Sequence, residues 1–257
     1  MLLPKYATKW CPTRAASRWT SSRAGGLFTT AQAERIGVSS QQLARLAGQG
    51  VIERARHGVY RVAGAPPAVV DHVRTAWLAL RPADTAAQRL AGERAGGSGG
   101  VSGGGTDEVE VVSHRTAAAL YGLGDLDADR AEFTVATRRQ SRDRDVRFHL
   151  ATLGPREWTV VDGLPVTTVE RTLVDLARDH LDGGHLAGVV RDAVTTLHVE
   201  PSVVAQALAP FAHRYGAEPG DAQGLVRQFL EQAGVPAATY AAAGLTAPPA
   251  LTGIKRP

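Results

Sequence analysis

The sequence predicts an α+β protein of two modules, and three observations carry that prediction. Residues 1–64 hold ten Lys/Arg against Glu34 and Glu53, a net +8, while the rest holds 19 basic against 23 acidic residues, a net −4. Residues 92–106, GERAGGSGGVSGGGT, carry eight glycines in fifteen positions and separate two patterned stretches. The stretch before them reads as short helices and then an alternating segment, and the stretch after them alternates strands with helices. A length of 257 residues suits one large domain or two of ordinary size.

The first module occupies residues 14–64, after an extension at 1–13 that is expected to be disordered. A helix over 15–23 carrying Trp19 opens a small three-helix core. Thr30 reads as the N-cap of a helix over 31–36, and Gly37 ends it in the left-handed conformation that glycine adopts cheaply. Ser39 and Gln42 form a capping box for the next helix, with Val38 stapled against Leu43. Two helices joined by a three-residue turn with glycine have helix-turn-helix spacing. Leu43 and Leu46 fall with Ile36 and Ala33 towards the core, leaving Ser40, Gln41, Gln42, Arg45 and Gln49 outward. Beyond Gly50, VIERARHGVYRV alternates around Arg56-His57-Gly58, which predicts a β-hairpin with a basic tip. The sum is a winged helix-turn-helix.

That layout suggests duplex DNA. Gln suits adenine edges and Arg suits guanine edges, and a basic module poor in acids suits phosphates. The candidate DNA-binding residues are Thr30, Ser39, Ser40, Gln41, Gln42 and Arg45 on the helices. Arg54, Arg56, His57 and Arg61 join them on or beside the wing. The chain has 26 arginines and only three lysines (Lys5, Lys9, Lys255), a compositional bias that weakens a raw arginine count. The bias does not explain why the same segment is nearly empty of acids.

Residues 65–91 read as a connecting helix, continuous over 66–90, with Val69, Val70, Val73, Ala76, Trp77 and Leu80 on one stripe. Residues 92–107 form a flexible Gly-rich loop. Residues 108–235 form a mixed α/β domain, and 236–257 a disordered tail. The strands of that domain are Val109–Val112, Glu132–Thr137, Val146–His149, Trp158–Val161 and Pro165–Thr167. Its helices are His114–Gly122, Val169–His180, His185–Thr196, Pro201–Tyr215 and Ala222–Ala233.

Much chemistry is excluded. No lysine occurs between positions 10 and 254, which removes a P-loop, a Schiff base and a Glu-x-Lys nuclease site. Cys11 is the single cysteine, so there is no disulfide framework or cysteine zinc site, and a reducing compartment follows. No apolar run reaches the ~18 residues of a membrane span, and the first residues lack a signal-peptide core. The expected location is cytoplasmic. Gly-x-Ser-x-Gly occurs at 96–100 and 100–104, but its flanks are glycine rather than the strand and helix of a nucleophile elbow. Asp125, Asp127 and Asp129 alternate as in a calcium loop, yet Arg130 and Ala136 stand where glycine and glutamate are needed. The eight histidines show no metal-ligand spacing, and His114, beside the N-cap Ser113, reads as packed or solvated. The chain is therefore expected to be no enzyme, with no cofactor and no metal. Arg138, Arg139, Arg142 and Arg144, with Arg147 nearby, make a second basic patch on a hairpin, interleaved with Asp143 and Asp145. A solvated loop is the simpler reading of it.

The stretch GLFTTAQAERIGVSSQQLARLAGQGVIERARHGVYRV resembles the N-terminal domain of the AbiEi family, antitoxins of type IV toxin–antitoxin (abortive infection) systems. VVSHRTAAALYGLGDL (111–126), EFTVATRRQSR (132–142) and VDGLPVTTVERTLVDLARD (161–179) occur in the order seen in actinobacterial members. The resemblance covers roughly residues 26–196. It implies a winged-helix repressor that binds operator repeats and silences its own operon. That operon would also encode a nucleotidyltransferase-like toxin, which need not touch the antitoxin stably. The second basic patch would then meet DNA, the toxin or its RNA substrate. Two features depart from the family pattern: the glycine-rich insertion at 96–105 and a C-terminus without recognisable features after about 215. A stand-alone winged-helix regulator without a toxin is the alternative reading.

Overall fold

A computed structural model describes residues 26–66, 68, 70–95, 109–141 and 143–241, and the chain divides into two compact units, 1–105 and 106–257. Both helices and sheets are present, as an α+β class requires.

The first unit runs β1 (Leu27–Thr29), α1 (Thr30–Arg35), α2 (Ser40–Gly48), β2 (Ile52–Arg56), β3 (Val59–Val62), α3 (Asp71–Leu80) and α4 (Ala86–Ala95). Its three strands are antiparallel in the order β1-β3-β2. Strand β1 was not foreseen, and it moves the first cap. Thr29, not Thr30, is the N-cap of α1: its hydroxyl accepts from the Gln32 amide, and Gln32 Oε1 accepts from the Thr29 amide. Pairing of Leu27–Thr29 with β3 holds Thr29 extended at φ −102°, the geometry an N-cap requires. Gly37 is left-handed at φ +83°, and the Ser39–Gln42 capping box of α2 is present as read from the sequence. Phe28, Ala33, Val38, Leu43, Leu46, Ile52, Tyr60 and Val62 form the core around them. Ile36 departs from the expectation and is 46% exposed. It lies past the last helical residue, so the helix period no longer aims it inward, and Val38 fills the core instead.

The hairpin β2–β3 turns at His57-Gly58, with Gly58 at φ +73° and a register shift between Arg54 and Arg56. The continuous helix expected over 66–90 is two helices. Pro82, which has no amide proton to donate, follows Arg81 at φ −135°, ψ 76°, and α3 stops there. Thr85 and Gln88 then cap the start of α4 reciprocally. Nor is this segment a free connector. Helix α3 packs on all three strands, and the Arg89 guanidinium of α4 lies 3.5 Å over the fully buried Trp77 ring. Residues 92–95, expected in the glycine-rich loop, close α4. The helix expected over 15–23, the extension 1–13 and residues 96–108 lie outside the described residues.

The second unit runs β4 (Val111–Val112), α5 (His114–Tyr121), β5 (Ala131–Val135), β6 (Val146–Leu150), β7 (Trp158–Val161), β8 (Leu164–Thr167), α6 (Val169–Arg178), α7 (Gly183–Thr195) and α8 (Pro201–Leu208). A 3-10 turn at Ala209–Tyr215 and helices α9 (Ala222–Gln232) and α10 (Ala237–Ala241) follow. The five strands form a mixed sheet in the order β6-β5-β4-β8-β7. The helices bury Leu173, Leu176, Leu186, Val190, Leu208 and Phe229 in one core. The single helix expected over 201–215 becomes α8 and a 3-10 turn, because Pro210 enters where the α-helix would need a donor. The tail does not begin at 236 as expected. Tyr240 on α10 is buried, and its hydroxyl donates to Glu231 at 3.1 Å. Residues 242–257 lie outside the described residues.

Candidate nucleic-acid interface

Helix α2 buries Leu43 and Leu46 and leaves Ser40, Gln41, Gln42, Arg45 and Gln49 exposed. Not all of the outward set is available to a partner. Gln42 Oε1 accepts from the Ser39 amide at 2.8 Å, and the Ser39 hydroxyl accepts from the Gln42 amide at 3.3 Å. Between them these two residues satisfy two of the orphan donors at the helix start. Ser40, Gln41, Arg45 and Gln49 remain as side chains that face solvent without such a task. Thr30, expected as a cap and DNA contact, is half-buried; its amide and hydroxyl both donate to the Gly58 carbonyl, at 2.9 and 3.4 Å. It ties α1 to the hairpin tip.

On the hairpin, Arg54 and His57 are exposed and in contact, with Arg54 Nη2 2.9 Å from His57 Nδ1. Arginine can only donate, so Nδ1 is the acceptor in this contact. Arg56 is half-buried beside them. Arg61 lies on an arm of the hairpin, within the expected region, but it is paired internally. It sits on the central strand β3, its side chain is only 16% exposed, and its Nη2 donates to Asp71 at 2.7 Å. A cavity of about 200 Å³ lined by Glu53, Arg54, Arg61, Asp71, His72 and Thr75 lies beside that pair.

The charges of the second unit are arranged differently. The second basic patch is not on a hairpin as expected, because β5 and β6 pair in parallel and the segment between them is a crossover loop. Arg138, Arg139 and Arg144 are exposed there, and Arg142 lies outside the described residues. Arg139 is not free for a partner: it pairs with the buried Glu110. Arg147 pairs with Glu132 and Asp179. Glu132 is buried on β5, where it accepts from the Arg115 amide at 2.9 Å and lies 3.4 Å from His149 Nε2. Burial alone would raise its pKa, but hydrogen bonds from His149 and the Arg115 backbone hold it below the usual carboxylate range. His114, at φ +52°, stacks on His149 with ring centroids 3.4 Å apart. Burial, followed by the charge of His149, pushes its pKa down to about 3. Arg171 bridges Asp175 and Glu157, each at 2.8 Å, and burial still raises Asp175. His114 is thus packed, one of the two states read for it. Glu132, His149 and Asp71 were not singled out in the sequence, and the signal for Glu132 was a charged residue on a strand that otherwise carries none.

Asp125, Asp127 and Asp129 are exposed. Among the described residues, no group of three or more His, Cys, Asp or Glu is placed to hold a metal ion, and no helix is long and apolar enough to cross a membrane.

Residues 20–63 match the family model described as "Transcriptional regulator, AbiEi antitoxin". The matched stretch takes in β1, both helices of the pair and the hairpin, the same elements that carry the outward polar side chains. The resemblance read from the sequence is therefore shown over this segment. No curated protein matches the chain.

Proposed function

From the premise that residues 20–63 are a regulator segment of the AbiEi antitoxin family, we propose that the chain is a DNA-binding antitoxin and autorepressor of a type IV toxin–antitoxin operon. The first unit works as a winged helix-turn-helix on operator repeats in duplex DNA. Helix α2 enters the major groove, where Ser40, Gln41 and Arg45 meet base edges. Arg54, Arg56 and His57 meet phosphates or a minor groove from the hairpin, positioning the helix without reading sequence. One observation carries this reading. The exposed face of a doubly capped α2 lies in a segment of net +8 that matches a regulator family.

The functional partner is a nucleotidyltransferase-like toxin encoded in the same operon, countered without any need for a stable complex. The protein is cytoplasmic, catalyses nothing and needs no cofactor. The second unit carries the antitoxin task, and exposed Arg138 and Arg144 are the surface it offers to the toxin or its RNA. The match to residues 20–63 alone also fits a stand-alone regulator with no toxin. A neighbouring nucleotidyltransferase gene separates the two readings.

The test is a reporter under the operon's own promoter together with a toxin rescue assay. The full chain represses and rescues, a chain lacking 1–64 loses repression, and one lacking 109–235 loses rescue. Full toxin neutralisation by a 1–90 fragment overturns this division. Repression that survives deletion of 1–64 overturns the autorepressor.

A further inference from the structure

We propose that α3 is a brace that sets the hairpin against the helix pair, and that Asp71 is a positioning residue for DNA recognition which never touches DNA. The inference rests on the DNA-binding reading above and extends the reading unit beyond the segment that matches the family.

Asp71 opens α3, and its side chain is 9% exposed. Three donors from three places converge on it. Arg61 Nη2 of β3 and the Ala68 amide donate to Oδ2 at 2.7 and 2.8 Å, and Arg74 Nη1 donates to Oδ1 at 3.1 Å. A carboxylate at a helix start is also favoured by the helix dipole. The near end of α3 is thereby fixed to the strand that forms one arm of the hairpin.

The far end is fixed to the helix pair. The Thr29 hydroxyl donates to the Pro82 carbonyl, and Gln32 Nε2 donates to the Asp84 carbonyl at 2.8 Å. Thr29 and Gln32 are the two members of the α1 capping box, so the loop after α3 grips the start of the helix that leads into α2. Between its two ends, α3 lies against β1, β2 and β3. Hairpin and helix pair are therefore held by one element, pinned at its near end by charge-assisted hydrogen bonds to Asp71 and at its far end by part-buried neutral ones. A charge-assisted bond inside a low-dielectric site is stronger and more directional than a surface pair.

The rival role for Arg61 is a phosphate contact, and the two roles give opposite results. The measurement is fluorescence anisotropy of the full chain on a labelled duplex from its own promoter and on a scrambled duplex. Each is titrated at several salt concentrations, with thermal melts of every variant. As a brace residue, Asp71→Asn weakens operator binding about tenfold, the scale of one lost base contact. Binding to scrambled DNA and the salt slope stay as in wild type, and Arg61→Gln does the same without adding to it. As a phosphate-contact system, Arg61→Gln flattens the salt slope by about one unit. Asp71→Asn then tightens both duplexes, because it removes a competing anion.

Gln32→Glu tests the other end. It keeps the acceptor of the capping box, removes the donor to Asp84 and leaves Asp71 intact. It therefore lowers operator preference even where Asp71→Asn fails to fold. Wild-type affinity and preference in Gln32→Glu, or tighter binding by Asp71→Asn, overturns the brace. A wild-type chain that shows no operator preference fails the DNA-binding reading instead.

Discussion

On α2 of the first unit, Ser40, Gln41 and Arg45 stand in solvent above a face that buries only Leu43 and Leu46. On α6 of the second unit, Arg171 is 8% exposed and divides its guanidinium between Asp175 and Glu157. The first arrangement leaves polar groups ready for a partner and asks little of them for stability. The second has already spent its charges on internal partners, where a removed group leaves its mate buried and unpaired. Surface arginine and buried arginine therefore answer to different tests, and substitutions that separate them are the way to break the comparison.

The largest effect is expected at Arg171. Arg171→Met strands Asp175, which is 2% exposed, and should destabilise the chain by about 3–5 kcal/mol, as breaking a buried pair does. Urea unfolding measures it. DNA affinity under native conditions should stay at the wild-type value. A loss below about 1 kcal/mol would place the Arg171 cluster with ordinary surface pairs and erase the contrast.

Acid should reach the second unit next. His114 stays neutral in the folded chain down to about pH 3, while in the unfolded chain it takes up a proton near 6.5. Below 6.5 the unfolded state therefore binds more protons, and stability falls as pH falls until the folded group also titrates. The loss is about 2 kcal/mol at pH 5, from about 1.4 kcal/mol per unit. Glu132, whose folded pKa is lowered, acts in the same direction as pH falls through its range. His114→Asn removes the titration and tolerates the positive φ, so its stability should fall less between pH 7 and 5. Equal slopes for variant and wild type would show that the stacked pair is not the acid-sensitive element.

Which features were legible follows from how local their causes are. The caps of α2, Gly37 and the His57-Gly58 turn each depend on a few neighbouring residues, and the sequence shows them directly. Strand β1 has only three residues and no alternation of its own, so it left no trace, although Gln32 three residues after Thr29 is a capping-box signal that favours Thr29 over Thr30. The break at Pro82 was readable but was overridden by the apolar stripe read from Val69 to Leu80. Arg61 counted as free positive charge because Asp71, ten residues on, reaches it only through the packing of α3 on the sheet. The His114, Glu132 and His149 cluster is likewise invisible in one dimension. Strand register places Glu132 beside Arg147 and Thr134 beside His149, and the start of α5 then brings His114 onto the same group.

The central claim is that α2 reads bases while the hairpin holds phosphates, and the salt dependence of DNA binding tests it most directly. The full chain and Arg45→Ala are titrated against operator and scrambled duplexes across a range of salt. About six phosphate contacts give the wild type a log–log slope near −5. Arg45→Ala should lose about 1–3 kcal/mol on the operator and little on scrambled DNA, with that slope unchanged. Binding that stays flat with salt, or an Arg45→Ala loss equal on both duplexes, would contradict the account.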